Sequence, residues 1–126
     1  MTKVNKKILI VEVDEDFISI LETKFSADGF SVITAKDGED GQSKAETEKP
    51  DLILSDVLLP KLDGVAMAEK LREAKINIPI IFLTNIKDSN YTEALKKIGN
   101  QDYLIKSDLR ISDVVEKVKR KLGIKE

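Results

Sequence analysis

The sequence predicts a doubly wound α/β domain: a five-stranded parallel sheet with helices on both faces. Three observations point there. Short apolar runs recur along the chain, stretches of helical spacing separate them, and the runs lack the alternation of a sheet with one wet face. The length agrees, since 126 residues suit one compact domain. A chain of this size buries roughly two thirds of its unfolded surface, enough for a core without disulfides or metal.

Ile8-Leu9-Ile10-Val11 reads as the first buried strand and runs into an acidic cluster. Phe17, Ile20, Leu21 and Phe25 then recur at helical spacing, and Gly29 supplies the stop. Ser31 to Ala35 is the second strand. After Asp37-Gly38 a more polar helix runs until Pro50 forbids its continuation. Leu52-Ile53-Leu54 is the third strand and ends at Ser55-Asp56. Pro60 and Asp63-Gly64 mark a loop, and Ala68 and Leu71 belong to the next helix. Pro79 precedes the fourth strand, Ile80 to Leu83. Ala94, Leu95 and Ile98 form a short helical stripe closed by Gly99, Tyr103-Leu104-Ile105 is the fifth strand, and Ile111, Val114, Val115, Val118 and Leu122 give the clearest amphipathic helix. Five strands thus alternate with five helices, with no repeat or linker. Right-handed crossovers and the size favour the flavodoxin-like strand order 2-1-3-4-5.

Composition limits the chemistry. Cysteine is absent, which removes disulfides, thiolate metal sites and cysteine nucleophiles. Histidine is absent too, which removes the commonest general base. Carboxylates, hydroxyls, lysine and a hard metal ion remain. Lys and Arg number 21 against 23 Asp and Glu, a formal charge of -2, so no basic surface suggests direct nucleic-acid binding. The apolar run after the basic start is too short for a signal peptide or a membrane span, and the expectation is a cytoplasmic protein.

In a sheet of this order, function sits beyond the carboxyl ends of the strands. The first strand ends in Glu12-Val13-Asp14, the third in Asp56, the fourth in Thr84 and the fifth in Lys106. Each has a bland reading: Asp14 as a helix cap, Thr84 as a β-branched strand end, Lys106 as a solvated side chain. Asp56 is harder to dismiss, because apolar runs flank it and a buried carboxylate needs a partner. Together the set suits phosphoryl transfer to a carboxylate. An aspartate can attack phosphorus, and a lysine and a divalent cation can neutralise the equatorial oxygens. Magnesium takes carboxylate, carbonyl and water oxygens.

Ile8-Leu9-Ile10-Val11-Glu12, Ser55-Asp56-Val57-Leu58-Leu59-Pro60-Lys61-Leu62-Asp63-Gly64, Leu83-Thr84 and Asp102-Tyr103-Leu104-Ile105-Lys106 resemble, in order, the motifs of response-regulator receiver domains of two-component signalling, the CheY-like superfamily. The resemblance spans essentially the whole chain and implies one receiver domain over residues 1–126, with no output domain. It implies a signalling phosphoprotein rather than an enzyme. A partner histidine kinase or phosphotransfer protein would phosphorylate Asp56, and a surface change would act on a downstream protein. By the same resemblance Glu12, Asp56 and the Leu58 backbone carbonyl hold magnesium, with Asp14 as a substitute ligand. Lys106 pairs with the phosphoryl group, Thr84 is the switch hydroxyl, and Tyr103 is the aromatic whose rotation accompanies activation.

Three departures bear on this expectation. Receivers usually carry two adjacent acids after the first strand, and here Val13 occupies the second place, which weakens the expected hold on magnesium. Ser107 follows Lys106 where proline is usual; a cis bond there would cost about 2.5–4 kcal/mol, so a trans bond and a re-aimed lysine are expected. Asn85 after the switch hydroxyl is larger than usual. The alternative function is therefore a degenerate receiver that signals by binding without efficient phosphorylation. A flavodoxin-like enzyme or nucleotide binder is disfavoured, because Glu12 to Asp16 offers no glycine-rich cradle for phosphate.

Overall fold

The computed structural model describes residues 5–85 and 101–124. Five strands, β1 (Lys7–Val11), β2 (Ser31–Ala35), β3 (Leu52–Asp56), β4 (Ile80–Thr84) and β5 (Gln101–Ile105), form one parallel sheet in the order β2-β1-β3-β4-β5. Four helices accompany them among the described residues: α1 (Glu15–Ala27), α2 (Gly38–Glu48), α3 (Gly64–Glu73) and α4 (Ile111–Lys121), with a 3-10 turn at Lys106–Asp108. The fold and strand order are those expected. Four of the five expected helices fall among the described residues, and the stripe of Ala94, Leu95 and Ile98 lies outside them.

Strand side chains alternate between the faces, so each strand feeds two cores. Leu9, Val11, Ile53, Ile80 and Phe82 pack with Ala45 of α2 and with Met67, Ala68 and Leu71 of α3. Ile8, Ile10, Leu52, Leu54, Ile81 and Leu83 pack with Leu21 and Phe25 of α1 and Val114, Val115 and Val118 of α4. Both faces being covered explains the near-continuous apolar strands.

Two readings need correction. Ile20 does not belong to the buried stripe of α1: it is 51% exposed, and Ile18 turns inward instead. Ile20 stands one residue before Leu21, about 100° around the helix, so the Leu21–Phe25 face carries it outward. The last strand also begins two residues earlier, since Gln101 and Asp102 pair with Ile80 and Ile81. Polar residues hid that start; the Asp102 carboxylate lies 3.1 Å from Lys121 of α4.

Aspartates start three helices. Asp14, Asp37 and Asp63 accept backbone N–H groups of the first turns of α1, α2 and α3. The β3–α3 connection is tightly held. Gly38 donates to the Pro60 carbonyl at 3.2 Å, and Gly64 to the Val57 carbonyl at 2.7 Å. A Cβ on Gly64 would lie 2.3 Å from the Asp56 carbonyl oxygen, so only glycine lets α3 start this close to the end of β3.

Candidate phosphoacceptor site at the carboxyl edge of the sheet

Strand register assembles the site. Val11 lies opposite Ser55, so Glu12 and Asp56 leave neighbouring strands at one level. Asp56 is paired with Leu83, and Thr84 with Ile105, which places Lys106 one residue beyond. Parity then decides the face. Glu12, Asp56 and Lys106 each follow by two residues a side chain of the α1/α4 core: Ile10, Leu54 and Leu104.

The three side chains meet. Lys106 Nζ donates to Glu12 Oε1 and, at 3.1 Å, to Asp56 Oδ2. Glu12 is 3% exposed, and its Oε2 accepts from the backbone N–H groups of Val13 at 2.8 Å and Asp14 at 3.0 Å. Asp56 Oδ1 accepts from the Val57 N–H at 2.7 Å. The Lys106 ammonium also stands 4.9 Å from the centre of the Phe17 ring. Lys106 is not the solvated side chain of the bland reading; 18% of its side chain is exposed.

Burial pushes the Asp56 carboxyl above its ordinary value, against the lowering effect of Lys106, and the charge of Glu12 adds to the rise. Burial alone would pull Lys106 down, but hydrogen bonds and charges of Glu12 and Asp56 outweigh it and raise the ammonium. The arrangement can present a nucleophilic oxygen with a cation beside it.

The remaining candidates fall around this group. Thr84 is buried at the end of β4, and Tyr103 is half exposed on β5, which flanks it in the sheet. Asp14 Oδ1 accepts from the N–H groups of Asp16 at 3.0 Å and Phe17 at 3.2 Å, which commits it to capping α1. Val13 is 46% exposed, and its side chain offers no ligand atom. Leu58 and Asn85 are also exposed. All peptide bonds of the described residues are trans, Lys106-Ser107 included, and the lysine still reaches both carboxylates.

Carboxylates such as Glu12 and Asp56 are the donors that a magnesium ion accepts, so the residues present fit it. They fit it sparingly. Among the described residues no three acidic side chains converge as a metal-holding group. Sequence reasoning passed over two residues of this region. Phe17 was legible only as a stripe residue, and Gly64 only as a turn signal.

Comparison with known proteins agrees with this geometry. Residues 8–119 match the response regulator receiver domain, and the chain belongs to that family. It is 47% identical over 103 residues to the alkaline phosphatase synthesis transcriptional regulatory protein PhoP of Bacillus subtilis, covering 81% of this chain and 42% of that protein. It is 34% identical over 119 residues to the probable transcriptional regulator ycf27 of Porphyridium aerugineum, covering 90% of this chain and 49% of the relative. The chain therefore spans less than half the length of these two curated relatives. Among solved structures it resembles the receiver domain of the Francisella response regulator 1452, with a TM-score of 0.86 and 31% identity over 94% of this chain and 98% of that one. A CheY-like receiver domain protein from Methanospirillum hungatei gives a TM-score of 0.87 at 27% identity, with 94% of each chain covered. Receiver domains are signalling domains of two-component systems; histidine kinases phosphorylate them, and they generally bind magnesium at the phosphorylation site. No helix of the described residues is long and apolar enough to cross a membrane.

Proposed function

We propose that this chain is a phosphorylatable receiver whose acceptor is Asp56 and whose donor is a histidine kinase or phosphotransfer protein. One observation carries the reading: Asp56 stands at the carboxyl edge of the sheet with the Lys106 ammonium 3.1 Å from its Oδ2. In the transfer, a carboxylate oxygen of Asp56 bonds to phosphorus while the bond from phosphorus to the donor's histidine nitrogen breaks. The electron pair of that bond leaves with the nitrogen. Lys106 then exchanges its hold on Asp56 for the phosphoryl oxygens, and the Thr84 hydroxyl donates to another. Tyr103 turns as Thr84 moves, and the altered surface around β5 is what a downstream protein meets.

Magnesium, when bound, supplies positive charge to the phosphoryl oxygens; Glu12, Asp56 and the Leu58 carbonyl would hold it. Asp14 is the weaker candidate, because it caps α1. The proposal includes action in the cytoplasm, without direct contact of this domain to nucleic acid or membrane.

A second reading, a degenerate receiver that works by binding alone, is favoured by Val13 in place of an acid and by the sparse donor set. Incubation with acetyl phosphate and magnesium, read by intact mass, separates the two. A phosphate-sized gain that disappears in Asp56→Asn is expected. No gain under any divalent metal would leave the degenerate reading standing.

A further inference from the structure

We propose that Phe17 is a positioning residue: its ring holds the Lys106 ammonium beside the two carboxylates and so keeps it aimed at Asp56. The inference rests on Asp56 being the phosphoacceptor. A lysine stem has four rotatable bonds and a strongly hydrated head, so something must restrict it if it is to meet an incoming phosphoryl group in one place. The backbone provides little of that restriction here, because Lys106 opens a short 3-10 turn and Ser107 follows it. Three groups surround the ammonium instead: Glu12 Oε1, Asp56 Oδ2 and the Phe17 ring, whose centre lies 4.9 Å away. The face of an aromatic ring attracts a cation, more strongly where water is excluded, and 18% of the lysine side chain is exposed.

The position of the ring is itself fixed. Asp14 caps α1 and accepts the Phe17 N–H at 3.2 Å, so the ring projects from the first turn of the helix. Phe17 also packs against the core that holds Leu21 and Phe25. Phosphorylation removes the Asp56 carboxylate as a free partner of the lysine. Phe17 is uncharged and does not change in that step, so it remains a fixed point while the ammonium passes from carboxylate to phosphoryl oxygens. An aliphatic residue at this place would fill the same space without attracting the cation.

The test compares the native protein with Phe17→Leu and Phe17→Tyr. In the native protein the Lys106 ε-methylene protons should show the upfield ring-current displacement of a group above an aromatic face. Phe17→Leu should return them to ordinary lysine positions and slow labelling of Asp56 by acetyl phosphate by about three- to tenfold, on the scale of a single cation–π contact. Phe17→Tyr should restore both. Native Lys106 protons without displacement would overturn the proposal. So would a Leu variant labelled at the native rate, or a Tyr variant no better than Leu. A purely structural role predicts the last outcome, with labelling following melting temperature rather than aromaticity. If even the native protein takes no phosphate, the phosphoacceptor reading fails, while the proton shifts still decide whether Phe17 holds the lysine.

Discussion

Lys106 and Asp56 lie 50 residues apart in the chain and 3.1 Å apart in the fold. Between them pass β4 and a parallel strand pairing that ends with Thr84 against Ile105. The same ammonium reaches Glu12, so one cation serves two carboxylates at the edge of the sheet. Four expectations follow from this group and the backbone around it.

Asp56 is expected to oppose folding when charged. Burial raises its carboxyl above the ordinary 3.8, even with Lys106 beside it. A raised acid binds more protons folded than unfolded, so its contribution is fully present below about pH 3.8 and is lost as pH rises through the folded value. Asp56→Asn should therefore melt about 2–5 °C higher than the native protein at neutral pH, with the gain shrinking toward pH 4. Melting curves across that range check it, and a variant that melts lower at neutral pH would contradict the account.

Lys106→Ala should act in the opposite sense. It strips Glu12 and Asp56 of their shared cation, and the Glu12 side chain is only 4% exposed. A loss of roughly 1–3 kcal/mol at neutral pH is expected, beside slower labelling. The lysine is raised by its partners, so its contribution is present below its ordinary 10.5 and is lost as pH rises through the folded value. Denaturant titration of both proteins at neutral and strongly alkaline pH should show the difference closing at the alkaline end.

Val13→Asp should tighten magnesium binding. Val13 is half exposed beside Glu12, so the substitution removes little packing and adds one carboxylate to a sparse donor set. An affinity gain of about tenfold is expected, since ligand charge count tunes such sites. Without metal the added charge should lower the melting temperature slightly, through repulsion near Glu12. Calorimetric titration decides it. Equal affinities would mean that the site is already complete, and the degenerate reading would lose its chief support.

Gly64→Ala tests the backbone beneath Asp56. The new Cβ would lie 2.3 Å from the Asp56 carbonyl oxygen and 3.1 Å from the Phe82 ring, so either α3 or the end of β3 must move. We expect a loss of about 1–3 kcal/mol and slower labelling, because the displaced strand carries the acceptor. Unchanged stability and unchanged labelling together would show that the β3–α3 connection yields freely.

Much of this architecture was legible from local pattern. Unbroken apolar runs mark strands covered on both faces, helical stripes carry the 3.6 period in their own residues, and Asp14 announces a helix start by its chemistry. Local pattern failed where polarity and burial disagree. Gln101 and Asp102 look like loop but pair with β4, and Ile20 looks like core but faces water. Motif order brought Glu12, Asp56, Thr84 and Lys106 to one edge, because parallel strands deliver their carboxyl ends together.

Contact and partnership were decided only by the tertiary structure. Asp14 reads equally well as a metal ligand or a helix cap, and its bonds to the Asp16 and Phe17 N–H groups place it as the cap. Lys106 reads as a surface side chain until strand register sets it between Glu12 and Asp56. Phe17 belongs to an ordinary helical stripe, and nothing in its neighbours shows that a lysine 89 positions later stands 4.9 Å from its ring. The physical reason is common to all three. Propensity and periodicity act within a few residues, whereas charge pairing and burial depend on which distant strands the sheet sets side by side.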